Sequence, residues 1–320
     1  MDIEYNYIIN SGKFVEQDNQ FPFQGEQIER VNPLTGQSEK MLTNGEILFS
    51  EIFNEGKMSF DVSFDKVYDD TRVGFFINYQ NINGKLSFYQ IGIRNRFTGY
   101  GIDYYNGQAW EFKVGGGQVN FIRAKVNYLL TVELKGNVIR LYVNNVKVLE
   151  YTNFTDVISG VCGIYIMNGA TATIKNIEIK HQKPSVFCIM KFERDFDDLY
   201  KDVIKPQCDK LGFHAVRADE CYTSSAIIQD IIREISNASI IISDITMDNP
   251  NVFYELGYAH ALQKPTILLA DIDKRDRLPF DISGYRTIFY SNTIAGKKEI
   301  ESHLRKYMEN IAQPNFLPRR

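Results

Sequence analysis

The sequence predicts a two-domain chain: an all-β sandwich over residues 1–182, then an α/β domain built on a parallel sheet over residues 183–320. Three observations carry this. Short runs of alternating apolar and polar residues recur through residues 1–180, punctuated by turn pairs and almost free of helical periodicity. A polar connection, His181-Gln182-Lys183-Pro184, separates that texture from the rest of the chain. Residues 225–270 then read helix, strand, helix, strand, an order that requires parallel strands joined by right-handed crossovers.

Composition bounds the function classes. A chain of 320 residues suffices for two domains with proper cores. Its 36 basic and 40 acidic residues leave a net charge of −4, so there is no electrostatic footprint for a nucleic-acid polymer. Cys162, Cys188, Cys208 and Cys221 lack CxxC spacing and read as reduced thiols, which points to the cytoplasm. The histidines, His181, His214, His260 and His303, are too scattered for a metal site, and no cofactor is expected. No apolar run reaches membrane-spanning length, and the opening Met1-Asp2-Ile3-Glu4 lacks the order of a signal peptide. No membrane partner is expected.

In the first half, strands are expected at residues 57–64, 73–79, 86–94, 100–105, 128–134, 138–143, 163–167 and 171–180. The pairs Asn83-Gly84, Asn106-Gly107, Gly136-Asn137 and Asn144-Asn145 supply hairpin chemistry between them. Gly115-Gly116-Gly117 is a turn, because no helix comes after it to make it a phosphate loop. Many short, evenly spaced strands make a two-sheet sandwich. The hairpin of residues 130–151 and the closing segment of residues 160–180 resemble the concanavalin A-like (laminin G-like) jelly roll. That resemblance implies a ligand- or partner-sensing module, often one for carbohydrate. Trp110 and the tyrosines of residues 100–105 are the candidates to stack on a sugar, with core and rim packing as the alternative.

In the second half, residues 185–190 form an apolar strand and residues 195–210 a helix that Pro206 distorts and Gly212 ends. A strand at residues 213–216 leads to Arg217-Ala218-Asp219-Glu220. Residues 225–235 put Ile227, Ile228, Ile231, Ile232 and Ile235 on one helical face. Residues 238–242 make a strand buried on both faces, with Asp244 just past it. Asn249-Pro250 caps a helix over residues 251–262, Pro265 opens a strand over residues 266–270, and residues 287–290 and 298–311 close the domain. Ligands of such sheets bind beyond the carboxyl ends of the strands. That edge carries Asp244, Asp248, Asn249, Asn251 and Glu255.

Residues 228–270 resemble the nucleoside 2-deoxyribosyltransferases and the deoxynucleoside monophosphate N-glycosidases. They also resemble TIR-like nucleotide-binding domains, which share a flavodoxin-like sheet. The resemblance makes Glu255 of Tyr254-Glu255-Leu256-Gly257 the catalytic carboxylate, as nucleophile or charge stabiliser, and Asp230 the acid that protonates the leaving base or orients Glu255. Lys191 and Phe192 occupy the loop that covers the base, and Asp248-Asn249-Pro250-Asn251 the sugar- or phosphate-contacting loop. Arg217 and Asp219 follow a strand end and are expected on ribose or phosphate, and Tyr254 is counted with the binding residues. The glycine-rich phosphate loop of the monophosphate enzymes is replaced here by Lys191, Glu193 and Arg194.

Plainer roles stand beside these. Asp230 can pair with Arg233 or Lys264, Arg217-Asp219-Glu220 can be an ion-pair loop, and Asp244 can cap its own loop. The expected function is a hydrolase or transferase acting on the N-glycosidic bond of nucleosides, nucleotides or NAD, with NAD a substrate rather than a cofactor. The sandwich would regulate it through a ligand or protein of its own, as in a bacterial defence effector, and the resemblance implies a homo-oligomer. The alternatives are a non-catalytic nucleotide-binding signalling module and a carbohydrate-binding protein.

Overall fold

Alternation of side chains builds the first part of the chain. In the strand Gly56–Phe64, Met58, Phe60, Val62 and Phe64 are buried while the residues between them are not. Tyr128–Lys135 repeats the pattern with Tyr128, Leu130, Val132 and Leu134. With a two-residue period, such strands bury one face and wet the other. The computed structural model describes residues 5–17, 20–31, 36–82, 84–153, 160–220, 227–275, 277–285 and 287–312. It divides into two compact units, the first made mostly of residues before Lys183 and the second mostly of residues from Lys183 on.

The first unit holds fourteen strands among the described residues: β1 (Tyr7–Ser11), β2 (Gln20–Phe23), β3 (Gln27–Val31), β4 (Ser38–Phe53), β5 (Gly56–Phe64), β6 (Arg72–Ile82), β7 (Lys85–Arg94), β8 (Tyr100–Tyr105), β9 (Trp110–Gly116), β10 (Tyr128–Lys135), β11 (Val138–Val143), β12 (Val146–Thr152), β13 (Gly160–Asn168) and β14 (Ala172–His181). One sheet runs β1-β4-β13-β6-β7-β8-β9, with β3 added to the free part of β4. The other runs β12-β11-β10-β5-β14-β2. They pack face to face as a β-sandwich, with Phe60 of one sheet against Phe75 of the other at 4.8 Å between ring centroids. Truncating either ring leaves a cavity worth about 3–5 kcal/mol.

Several strands escape sequence reading. All of β3 and most of the first half of β4 are exposed, so those stretches carry no inward stripe, whereas the second half of β4 turns Ile47, Phe49 and Phe53 into the core. Gly115 and Gly116 belong to β9, paired with Gly101 and Tyr100, and only Gly117 turns, at φ +73°. The Tyr100 ring explains the glycines: a Cβ on Gly116 would lie 2.9 Å from it and one on Gly117 2.6 Å. Asn144 and Asn145 take φ of +50° and +65°, the hairpin geometry their chemistry predicts. Asn83 of the expected Asn83-Gly84 turn lies outside the described residues, as does Cys221.

The second unit adds β15 (Ser185–Ile189), α1 (Arg194–Leu199), α2 (Lys205–Lys210), β16 (His214–Arg217), α3 (Ile227–Asn237), β17 (Ile240–Asp244), α4 (Pro250–Ala261), β18 (Thr266–Asp271), β19 (Thr287–Tyr290) and α5 (Ile294–Ala312). All pairings in its sheet are parallel, in the order β16-β15-β17-β18-β19. Apolar clusters cover both faces, one centred on Ile242 and Leu269, the other on Ile241 and Leu268. Continuous apolar strands therefore replace alternating ones. The helix expected over residues 195–210 is one run with a wide turn at Tyr200–Ile204, where the Lys205 N–H reaches back five residues to the Tyr200 carbonyl. That widening accommodates Pro206, which has no N–H to offer the ladder. β17 runs to Asp244, two residues beyond the expected end, so this carboxylate closes the strand instead of following it. Residues 225 and 226 of the expected helix lie outside the described residues.

Candidate functional site

Chain direction sets the site. β15 lies between β16 and β17, so the β15–β16 and β16–β17 connections cross the sheet in opposite directions and cover opposite faces, and the crevice at that reversal lies outside the carboxyl ends of β15 and β17. β15 delivers Met190, Lys191 and Phe192 there, and the segment after β17 delivers Asn249 and the first turns of α4. A cavity of about 360 Å³ lies between them. Lys191, Phe192, Asn249, Asn251, Tyr254 and Glu255 line it, so the fold unites six of the residues singled out from sequence. Met190, Val252, Ile227, Ile228 and Ile231 complete the wall.

Those isoleucines belong to the apolar helical face expected from the sequence. Only Ile235 of that stripe is fully buried, whereas Ile227 and Ile228 stand 77% and 43% exposed at the cavity mouth.

Glu255 is half-buried on α4, nearly two turns beyond the cap. The Asn249 side chain holds the helix start, accepting hydrogen bonds from the N–H groups of Asn251 at 2.9 Å and Val252 at 3.5 Å. No hydrogen bond or ion pair holds the Glu255 carboxylate among the described residues, and burial alone pushes its pKa up to about 7. Phe192 and Tyr254 are more than half exposed at the rim. Lys191 is tied to Glu193 at 2.5 Å.

The other predicted residues sit elsewhere. Arg217 is buried and chelates Asp219 through Nε–Oδ1 at 2.7 Å and Nη2–Oδ2 at 2.6 Å, while Nη1 reaches Asp197 at 2.7 Å. These bonds raise the Arg217 pKa against the opposing effect of burial and hold Asp219 below the usual carboxylate range. The guanidinium also lies over the rings of Phe192 and Tyr200, 5.2 and 4.9 Å from their centroids. Arg217 thus supports the Phe192 ring. Asp230 is buried and paired with Arg233 one helical turn on, and is not part of the cavity wall. Asp244 is buried and accepts from the Thr246 N–H at 2.9 Å and the Tyr290 hydroxyl at 2.8 Å, and burial raises its pKa. Asp248 is exposed and paired with Arg275. His260 stacks on Tyr285 at 4.1 Å.

A second polar–aromatic region lies on the outer face of the β4-containing sheet. Trp110, 53% exposed, meets Tyr105 at 5.2 Å and Phe88 at 5.5 Å. Gly74, Gly92 and Gly101 stand in register across β6, β7 and β8. A Cβ on Gly92 would lie 2.9 Å from the Tyr165 hydroxyl, and one on Gly101 2.0 Å from Arg94 Nη2, so the glycines let both side chains lie along the sheet. Arg94 pairs with Asp103 at 2.6 Å, whose pKa burial raises and Arg94 pulls back down.

No family model matches the chain, and no curated protein matches it. Among solved structures it is similar to the carbohydrate binding module CBM66 from Bacillus subtilis, at 12% identity and a TM-score of 0.42, covering 55% of this chain and 95% of that one. It is similar to a Bacillus licheniformis beta-glucanase at 12% identity and a TM-score of 0.37, covering 56% and 95%. Porphyranase B from Zobellia galactanivorans shares 8% identity at a TM-score of 0.39, covering 54% and 84%. The likeness lies over the β-sandwich. At these scores it says nothing about the chemistry of either unit.

Proposed function

We propose that the α/β unit binds a nucleobase glycoside (a nucleoside, a nucleotide or NAD) and cleaves its N-glycosidic bond at Glu255. One observation carries the reading: a carboxylate with no partner among the described residues, its pKa near 7, in an apolar-walled cavity at the strand-order reversal. Phe192 and Tyr254 offer faces for a flat base, and Asn249 and Asn251 offer polar groups for sugar hydroxyls. Ionised Glu255 attacks the anomeric carbon, a C–O bond forms, and the C–N electron pair leaves with the base. Water then cleaves the glycosyl ester. Asp230, paired with Arg233, supplies no proton to the cavity in this scheme. The base departs with a solvent proton or, where it is already cationic as in NAD, with none. A chromatographic assay for free base, run beside Glu255→Gln, tests this; base release undiminished in the variant would overturn it. Binding without release would assign the cavity to a signalling module.

A second reading concerns the sandwich. Exposed Trp110, packed on Tyr105 and Phe88 beside the Arg94–Asp103 pair, combines a flat apolar face with hydrogen-bonding groups, the chemistry that takes a sugar ring. Oligosaccharide titration of the wild type against Trp110→Ala, read by thermal stabilisation, decides it. A response equal in both proteins would remove Trp110 from any such site.

A further inference from the structure

We propose that two copies of this chain associate through the free edge of β3, in an antiparallel register centred on Ile28. Among the described residues β3 pairs only with β4, and every residue from Gln27 to Val31 is exposed. The Thr43 N–H donates to the Glu26 carbonyl at 3.0 Å, and the ladder pairs Ile28 with Met41 and Arg30 with Glu39. Main-chain groups of 26, 28 and 30 therefore point at β4, and those of 27, 29 and 31 point outward. An open row of this kind is a template for another strand.

Two-fold symmetry about the sheet normal restricts the pairing to registers in which one residue faces its own copy. Centring on Glu29 sets Glu29 against Glu29, and centring on Arg30 sets Arg30 against Arg30; like charges directly opposite repel. Centring on Gln27 sets Glu26 opposite Ile28 and makes no ion pair. Centring on Ile28 places Glu26 opposite Arg30 twice and lets Gln27 and Glu29 exchange main-chain hydrogen bonds. Ile28 and Met41, 42% and 38% exposed, then continue across the axis into their copies as an apolar row of four, flanked by the charges. Glu26 already meets Lys13 at 2.9 Å, but both side chains are largely exposed, and such a pair yields readily to another cation.

Cysteine cross-linking of the full chain, with Cys221→Ser throughout, tests the register; Cys162, Cys188 and Cys208 are buried. In a pair that makes no main-chain hydrogen bonds the Cα atoms stand about 4.5 Å apart, within disulfide range. Ile28→Cys is expected to form a covalent dimer about tenfold faster than Gln27→Cys or Glu29→Cys, whose own copies lie on the diagonal. Sedimentation velocity should show a concentration-dependent dimer that Glu29→Pro abolishes, because proline removes an outward N–H and leaves the β4 ladder intact. A monomer at every concentration, or Glu29→Cys cross-linking as fast as Ile28→Cys, would overturn the proposal.

Discussion

Two partly buried carboxylates, one in each unit, meet opposite fates. Asp103 on the sandwich sits 2.6 Å from Arg94, which itself lies on a glycine floor made for it. Glu255 in the α/β unit has apolar walls, a pKa near 7 and no counter-ion among the described residues. Desolvation raises both, but only Asp103 is given a cation in return. A fold that leaves one acid uncompensated while furnishing others with partners (Asp219 with Arg217, Asp230 with Arg233) spends stability at that point, and such points are where chemistry is done.

The sharpest test of this contrast is Glu255→Gln. Base release should fall by about a hundredfold or more, since an ionisable group at the reacting bond contributes at least that much. Arg217→Ala comes next. It strands Asp197 and Asp219 and removes the support of the Phe192 ring, so the α/β unit should lose about 2–3 kcal/mol in a denaturant titration. Arg94→Met should similarly destabilise the sandwich by about 2 kcal/mol, because Asp103 keeps its burial and loses its cation. An unchanged denaturation midpoint would show the Asp103 pair to be dispensable, and the contrast would collapse.

The pH dependence separates the two acids further. The Glu255 pKa is raised in the folded state, so folding favours its protonated form. Stability is then fullest below the ordinary carboxylate range and falls as pH climbs through about 7. Glu255→Gln should therefore melt higher than wild type at pH 8 and equally at pH 4, while wild-type base release rises with a midpoint near pH 7. Equal melting at pH 8 would show that the charge carries no penalty. The smallest effect is expected of Asn249→Ala, which removes the α4 cap and should cost about 1 kcal/mol by thermal denaturation, with Glu255 still in place.

Much of the α/β unit was legible because its signals are local. Asn249-Pro250 caps α4 as expected, Gly212 ends its helix at φ +80°, and the strands at His214–Arg217 and Thr287–Tyr290 fall within a residue of their expected places. The sandwich was half legible. β5 and β10 announce themselves by alternation, whereas β3 and the first half of β4 expose both faces and β9 ends in glycines chosen for the Tyr100 ring.

The candidate site divides in the same way. Lys191, Phe192, Asn249, Asn251, Tyr254 and Glu255 follow strand ends or open a helix, and the parallel order alone brings them to one edge. Arg217, Asp219, Asp230, Asp244 and Asp248 lie in the same stretches of sequence, yet each is occupied by a protein partner: Asp219, Arg217, Arg233, Tyr290 and Arg275. Periodicity, caps and turn chemistry act over a few residues, so the amino-acid order by itself determined the helices, the buried strands and the edge at which they end. Which carboxylate would be left without a partner among the described residues depends on groups brought together from distant parts of the chain, as Asp244 and Tyr290 are. Only the tertiary structure decided that.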